Sequence, residues 1–159
     1  MEEVTAERLR VGVADLAVTD GAATIVTSGL GSCVAVAIHD GNGVGGLLHA
    51  MLPEAPEDTE TPAKYVDTGI RTMLDEMAAR GGATTRLTAK VAGGSSMLDL
   101  GNGTPVGEKN VRATREVLPD VGVDLVAEDT GGNSGRSVLF HPATGTMTIQ
   151  RVNAADTEL

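Results

Sequence analysis

Residues 33–53 read CVAVAIHDGNGVGGLLHAMLP. Two apolar runs, 33–38 and 44–52, flank Asp40-Gly41-Asn42-Gly43, residue types that accept the positive φ of tight turns. The short spacing predicts neighbouring antiparallel strands, because parallel partners need a crossover of roughly a dozen residues or more.

The pattern extends in both directions. Thr19-Asp20-Gly21 separates runs 11–18 and 23–27 at a similar hairpin distance, and further β-branched runs occupy 85–91, 123–127, 136–140 and 145–152. Two segments switch to helical spacing. In 62–80, Val66, Ile70, Met73, Leu74 and Met77 share a face, with Thr61 as N-cap, Pro62 in the first turn and Gly81-Gly82 at the end. In about 107–118, Val111, Thr114 and Leu118 share a face and Pro119 stops the helix. The predicted class is α+β, with layered mixed and antiparallel β-sheets and flanking helices. No repeat, low-complexity tract or long linker divides the chain, so one domain is expected over 1–159, with a core at 11–152 and flexible termini. Residues 53–61 (PEAPEDTET) are expected to project into solvent as a rim or lid beside His49.

At 159 residues, roughly two thirds of the unfolded surface can be buried. Aliphatic residues must supply that core, since there is one Phe, one Tyr and no Trp. The formal charge of −10 argues against nucleic acid and anionic membrane surfaces as partners. An excess of 22 acidic over 12 basic residues reads as a halophilic surface. The single cysteine forms no internal disulfide. The start Met1-Glu2-Glu3 lacks a signal-peptide pattern, and no apolar run is long enough for a bilayer span. A cytoplasmic protein is the expectation.

Cys33 follows the turn Gly29-Leu30-Gly31-Ser32 at the start of an apolar strand. A nucleophile suits that place, because backbone there can approach a substrate and turn N–H groups can face a developing oxyanion. From the cysteine alone, a small buried hydrophobe is the competing reading. A thiol needs a base, and His49 lies in the next predicted strand among apolar residues, within cross-strand reach. Its alternative is a core histidine bonded to a backbone carbonyl. His39 and His141 fall in predicted turns and are expected to be solvated. Thr27 can orient the His49 imidazole or be an ordinary strand threonine. Two glycine clusters, Gly93-Gly94-Ser95-Ser96 and Gly131-Gly132-Asn133-Ser134-Gly135-Arg136, lack phosphate-loop or dinucleotide spacing and read as turns walling a substrate cleft. No metal-ligand spacing occurs, so neither metal nor cofactor is expected.

An ordered set of segments resembles a known family, the chemoreceptor glutamine deamidases called CheD. They are Leu30-Gly31-Ser32-Cys33-Val34, His49-Ala50-Met51-Leu52-Pro53, Tyr65-Val66-Asp67, Lys90 to Met97, Val106-Gly107-Glu108-Lys109-Asn110 and Gly131 to Arg136. The resemblance implies Cys33 as nucleophile, His49 as base and Thr27 as the active-site threonine; from the reading of the glycine turns, Gly31, Ser32, Gly93, Gly94 and Ser95 are expected at the substrate. It also implies a fold like toxin-type cysteine deamidases, and conversion of glutamine to glutamate on methyl-accepting chemotaxis receptors through a thioester. A CheC-type phosphatase is the implied second partner. Ala92 and Leu98 stand where the family pattern carries aromatics. Two rival readings remain: a non-catalytic adaptor that stimulates the phosphatase, and a general small amidase.

Overall fold

The computed structural model describes residues 7–96 and 103–159. Met97 and Leu98 lie outside the described residues.

Among the described residues, ten strands form two five-stranded sheets. The first sheet contains β1 (Arg8–Arg10), β3 (Thr24–Leu30), β8 (Arg136–His141), β9 (Thr146–Gln150) and β10 (Thr157–Glu158), in the order β1-β3-β8-β9-β10. The second contains β2 (Asp15–Thr19), β4 (Val34–His39), β5 (Gly45–Ala50), β6 (Leu87–Gly93) and β7 (Val123–Thr130), in the order β2-β5-β4-β6-β7. Two helices, α1 (Val66–Ala79) and α2 (Val106–Asp120), pack on the second sheet. The class is α+β with mixed sheets, as the patterning predicts.

Strand alternation divides the core between layers. From β4, Val34, Val36 and Ile38 pack with Ile70, Met73 and Met77 of α1 and Val111 and Leu118 of α2. The intervening Ala35 and Ala37 pack instead with Ile25, Val138, Phe140 and Ile149 of the first sheet. Both faces of β4 and β5 are therefore covered, which explains why the quoted stretch is apolar almost throughout. Helix α1 approaches closely because Gly46 and Gly69 leave room. A Cβ on Gly46 would lie 2.8 Å from Met73 Sδ, and one on Gly69 the same distance from Leu48.

The predicted β4–β5 hairpin is present in antiparallel register from Val34↔Ala50 to His39↔Gly45. Asp40 builds its turn: Oδ1 accepts from the N–H groups of Asn42 and Val44, and Oδ2 from Ala83. Burial pushes the Asp40 carboxyl up, but these donors outweigh burial and hold it below its ordinary value.

Other expectations need correction. Thr19-Asp20-Gly21 does not close a hairpin. β2 pairs with β5 and β3 with β8, so residues 20–23 carry the chain between sheets. The predicted helix 62–80 is interrupted: Pro62–Lys64 form a 3-10 turn, Tyr65 is extended, and α1 begins at Val66. Lys64 O accepts from Met51 and Leu52 N–H, and Val66 N–H donates to Leu52 O, so those groups are diverted from a continuous helix. Pro119 does not stop α2 before it, because a proline in the last turn sacrifices little; the helix runs to Asp120. β1 pairs parallel with β3, and β10 antiparallel with β9, both outside the 11–152 segment.

Candidate active site

Three elements converge at one end of the space between the sheets. His49 on β5 lies opposite Ala35 of β4, and Cys33 stands two residues before Ala35, against the same inter-sheet core. Diagonal neighbours on one face of an antiparallel pair are about 7–8 Å apart between Cα atoms, within reach of longer side chains. Thr27 reaches in from β3 of the opposing sheet, and its Oγ1 lies 2.7 Å from His49 Nδ1.

This contact sets the tautomer. Thr27 Oγ1 also lies 2.7 Å from the carbonyl oxygen of Val11, which can only accept. The single hydroxyl proton therefore goes to Val11, and His49 Nδ1–H must donate to the hydroxyl oxygen. In the neutral ring the proton sits on Nδ1 and the lone pair on Nε2. His49 is fully buried, and its Nε2 has no hydrogen-bond partner among the described residues. A buried acceptor left unpaired costs about 1–3 kcal/mol, so this lone pair suits a proton donor that enters the site.

Burial pushes the His49 pKa down and pushes the Cys33 thiol up, the latter opposed in part by the residue's own backbone N–H. Both shifts favour a neutral imidazole beside a neutral thiol at rest. Cys33 is half-buried and bordered by exposed Ser28, Gly29 and Ser32.

The glycine clusters lie behind this turn. Gly94 N–H donates to Cys33 O, Ser95 N–H to Gly31 O, Gly131 N–H to Gly93 O and Ser96 N–H to Gly132 O. A Cβ on Gly93 would lie 2.3 Å from Cys33 O, and its φ of +109° also favours glycine. Gly93, Gly94 and Ser95 are buried, while Gly31 and Ser32 lie at the surface side of the turn. Ser95 Oγ donates to Ser134 O and accepts from Arg136. Arg136 is itself buried and also bonds Asp129 and Gly131 O, joining the first sheet to the second. Ala92, where the family pattern has an aromatic, is fully buried at the inter-sheet layer.

His39 and His141 differ from the sequence expectation of solvated turn residues. Each ends a strand: His39 Nε2 bonds Thr88 Oγ1, and His141 Nδ1 bonds Thr24 Oγ1. Periodicity does not reveal these partners, because they come from strands distant in sequence. It also does not single out Asn110, whose buried side chain reaches the carbonyl oxygen of Ser32 in the turn before Cys33, or the Val11 carbonyl that accepts from Thr27.

A family model described as CheD chemotactic sensory transduction matches residues 51–151. The chain is 45% identical over 155 residues to a probable chemoreceptor glutamine deamidase CheD of Haloarcula marismortui, covering 96% of this chain and 90% of that protein. It is 41% identical over 162 residues to the corresponding probable deamidase of Natronomonas pharaonis, covering 99% and 96%. Against the chemoreceptor glutamine deamidase CheD of Thermotoga maritima it is 42% identical over 147 residues, covering 92% and 93%. The family match begins beyond Thr27, Cys33 and His49, whereas the Natronomonas alignment spans nearly the whole chain.

Proposed function

The chain belongs to the CheD family, and from that premise we propose that it is a cysteine-dependent protein-glutamine deamidase acting on chemotaxis receptors. His49 Nε2 takes the Cys33 thiol proton as Sγ attacks the side-chain carboxamide carbon. The carbonyl π pair moves to oxygen, giving a tetrahedral oxyanion. Its collapse breaks the C–N bond, and the His49 imidazolium returns the proton to departing ammonia. A water molecule, deprotonated by the same nitrogen, hydrolyses the thioester to glutamate and restores the thiol. Thr27 positions the ring throughout and, through Val11 O, keeps the lone pair on the reacting side.

The observation that carries this reading is the Val11–Thr27–His49 chain ending in an unpaired Nε2 on the face shared with Cys33. Gly31 and Ser32 are assigned to substrate contact. Gly93, Gly94 and Ser95 hold the Cys33 turn from beneath. A CheC-type phosphatase is proposed as a second partner, docking over the half-exposed Cys33 turn and competing with receptor there.

The test is peptide mass spectrometry of a receptor cytoplasmic fragment incubated with wild type, Cys33→Ala and His49→Ala. Conversion of defined glutamines to glutamate by wild type alone is expected. Conversion by Cys33→Ala would overturn the mechanism. Inactivity of folded, reduced wild type would favour the adaptor reading.

A further inference from the structure

The end of the hairpin that carries Cys33 and His49 is open. Val34↔Ala50 is the last rung between β4 and β5. Beyond it the strands part: Cys33 O accepts from Gly94 N–H, while Met51 and Leu52 N–H both donate to Lys64 O. Two carbonyl oxygens are left at the fork, those of Ser32 and Met51. Neither can bond the other, because both are acceptors.

One side chain fills this fork. Asn110 Nδ2 lies 2.9 Å from Ser32 O and 2.9 Å from Met51 O, so the two amide protons satisfy both carbonyls. Asn110 is fully buried on the inward face of α2, among Gly107, Val111, Thr114 and Leu118. The helix cannot drift away unnoticed, since Gly107 packs against the Gly94–Ser95 backbone so closely that a Cβ there would sit 2.4 Å from Ser95 O.

We propose that Asn110 is a positioning residue for the deamidation reaction: it ties the residue before Cys33 to the residue two beyond His49 and so sets the approach of thiol to imidazole. This rests on the function proposed above. The chemistry at position 110 is narrow. Alanine leaves two carbonyls unpaired, and aspartate of the same shape turns oxygen toward oxygen.

The test compares Asn110→Ala and Asn110→Asp with wild type and with Leu118→Ala, a buried α2 control that leaves the fork intact. Steady-state kinetics on a receptor fragment are measured with the pH profile of Cys33 alkylation by iodoacetamide, a readout independent of receptor identity. In folded Asn110 variants kcat is expected to fall about tenfold or more with KM within about threefold, since small misplacements of reacting groups cost up to about a hundredfold. The His49-dependent limb of the alkylation profile is expected to weaken. Leu118→Ala loses thermal stability but keeps kcat. A folded Asn110 variant with kcat within twofold of wild type overturns the proposal, as does an equal kcat loss in Leu118→Ala. Failure of both Asn110 variants to fold assigns the amide a purely structural role and overturns it as well. If wild type converts receptor and Cys33→Ala does not, these failures strike the positioning role alone.

Discussion

Replacing Thr27 by valine preserves shape and burial but removes the hydroxyl that Val11 O and His49 Nδ1 share at 2.7 Å each. Two buried groups lose their partner, at about 1–3 kcal/mol each, so a stability loss of about 2–6 kcal/mol is expected by denaturant unfolding. The kinetic effect has a separate origin. The hydrogen bond holds the proton on Nδ1, and losing about 1.4–2.7 kcal/mol of that preference corresponds to a ten- to hundredfold loss of the competent arrangement. Thr27→Val should therefore lower kcat by about that factor, with KM little changed because Thr27 is buried away from solvent. The imidazolium also donates to this hydroxyl, so its loss should push the His49 pKa further down and move the acid limb of kcat/KM to lower pH. Thr27→Ser retains the hydroxyl and should recover most of the activity. The assay is ammonia release or mass-resolved deamidation of a receptor fragment, read across pH at a temperature where all variants are folded. A Thr27→Val enzyme with kcat within twofold of wild type and an unmoved acid limb would refute the orienting role.

In wild type, burial lowers the His49 pKa, so kcat/KM should rise through a pKa below the ordinary histidine value of about 6.5; a limb above it contradicts the neutral-base assignment. Iodoacetamide alkylation of Cys33 should show its alkaline rise above the ordinary thiol range, because burial raises that pKa. Asp40→Ala removes the acceptor for three backbone N–H groups and should cost about 2–3 kcal/mol at pH 7. The folded carboxyl pKa is depressed, so wild type's advantage is present above the unfolded value of about 3.9 and fades as pH falls through the folded value; equal stability at pH 7 would remove Asp40 from the turn. Gly93→Ala places a Cβ 2.3 Å from Cys33 O at φ +109°, and should destabilise the fold by about 2–4 kcal/mol and depress turnover; a neutral effect in thermal melts and kinetics would contradict the packing described.

What was legible in the chain follows a physical division. Local patterning suffices for the β4–β5 hairpin, because Asp40 to Gly43 carry their own turn chemistry and both flanking runs are apolar. It suffices for α1 and α2, whose buried faces recur at helical spacing. Position and residue type also nominate Cys33 and His49 as candidates: a lone thiol after a glycine turn, and an imidazole inside an apolar strand. The two histidines expected in solvent show the limit, since Thr88 and Thr24 lie far away in sequence.

Only the tertiary structure decides which sheet each strand joins. The Thr19-Asp20-Gly21 signal specifies a reversal but not whether its flanks pair, and here long-range pairing with β5 and β8 wins over the local hairpin. Likewise Tyr65 has no sequence signal to leave the helix; the bonds from residues 51 and 52 to Lys64 O decide it. The same holds at the site. Sequence nominates Thr27, but the protonation of His49 depends on a carbonyl at Val11, held beside Thr27 by the β1–β3 pairing, and on the stacking of the two sheets that brings Thr27 to His49. Asn110 lies 78 residues from its partner Ser32, and although it ends one of the family-like segments, helical periodicity does not distinguish its role from that of any polar residue of an amphipathic helix. Periodicity encodes which faces are buried, whereas hydrogen-bond partners across layers are set by where those faces meet.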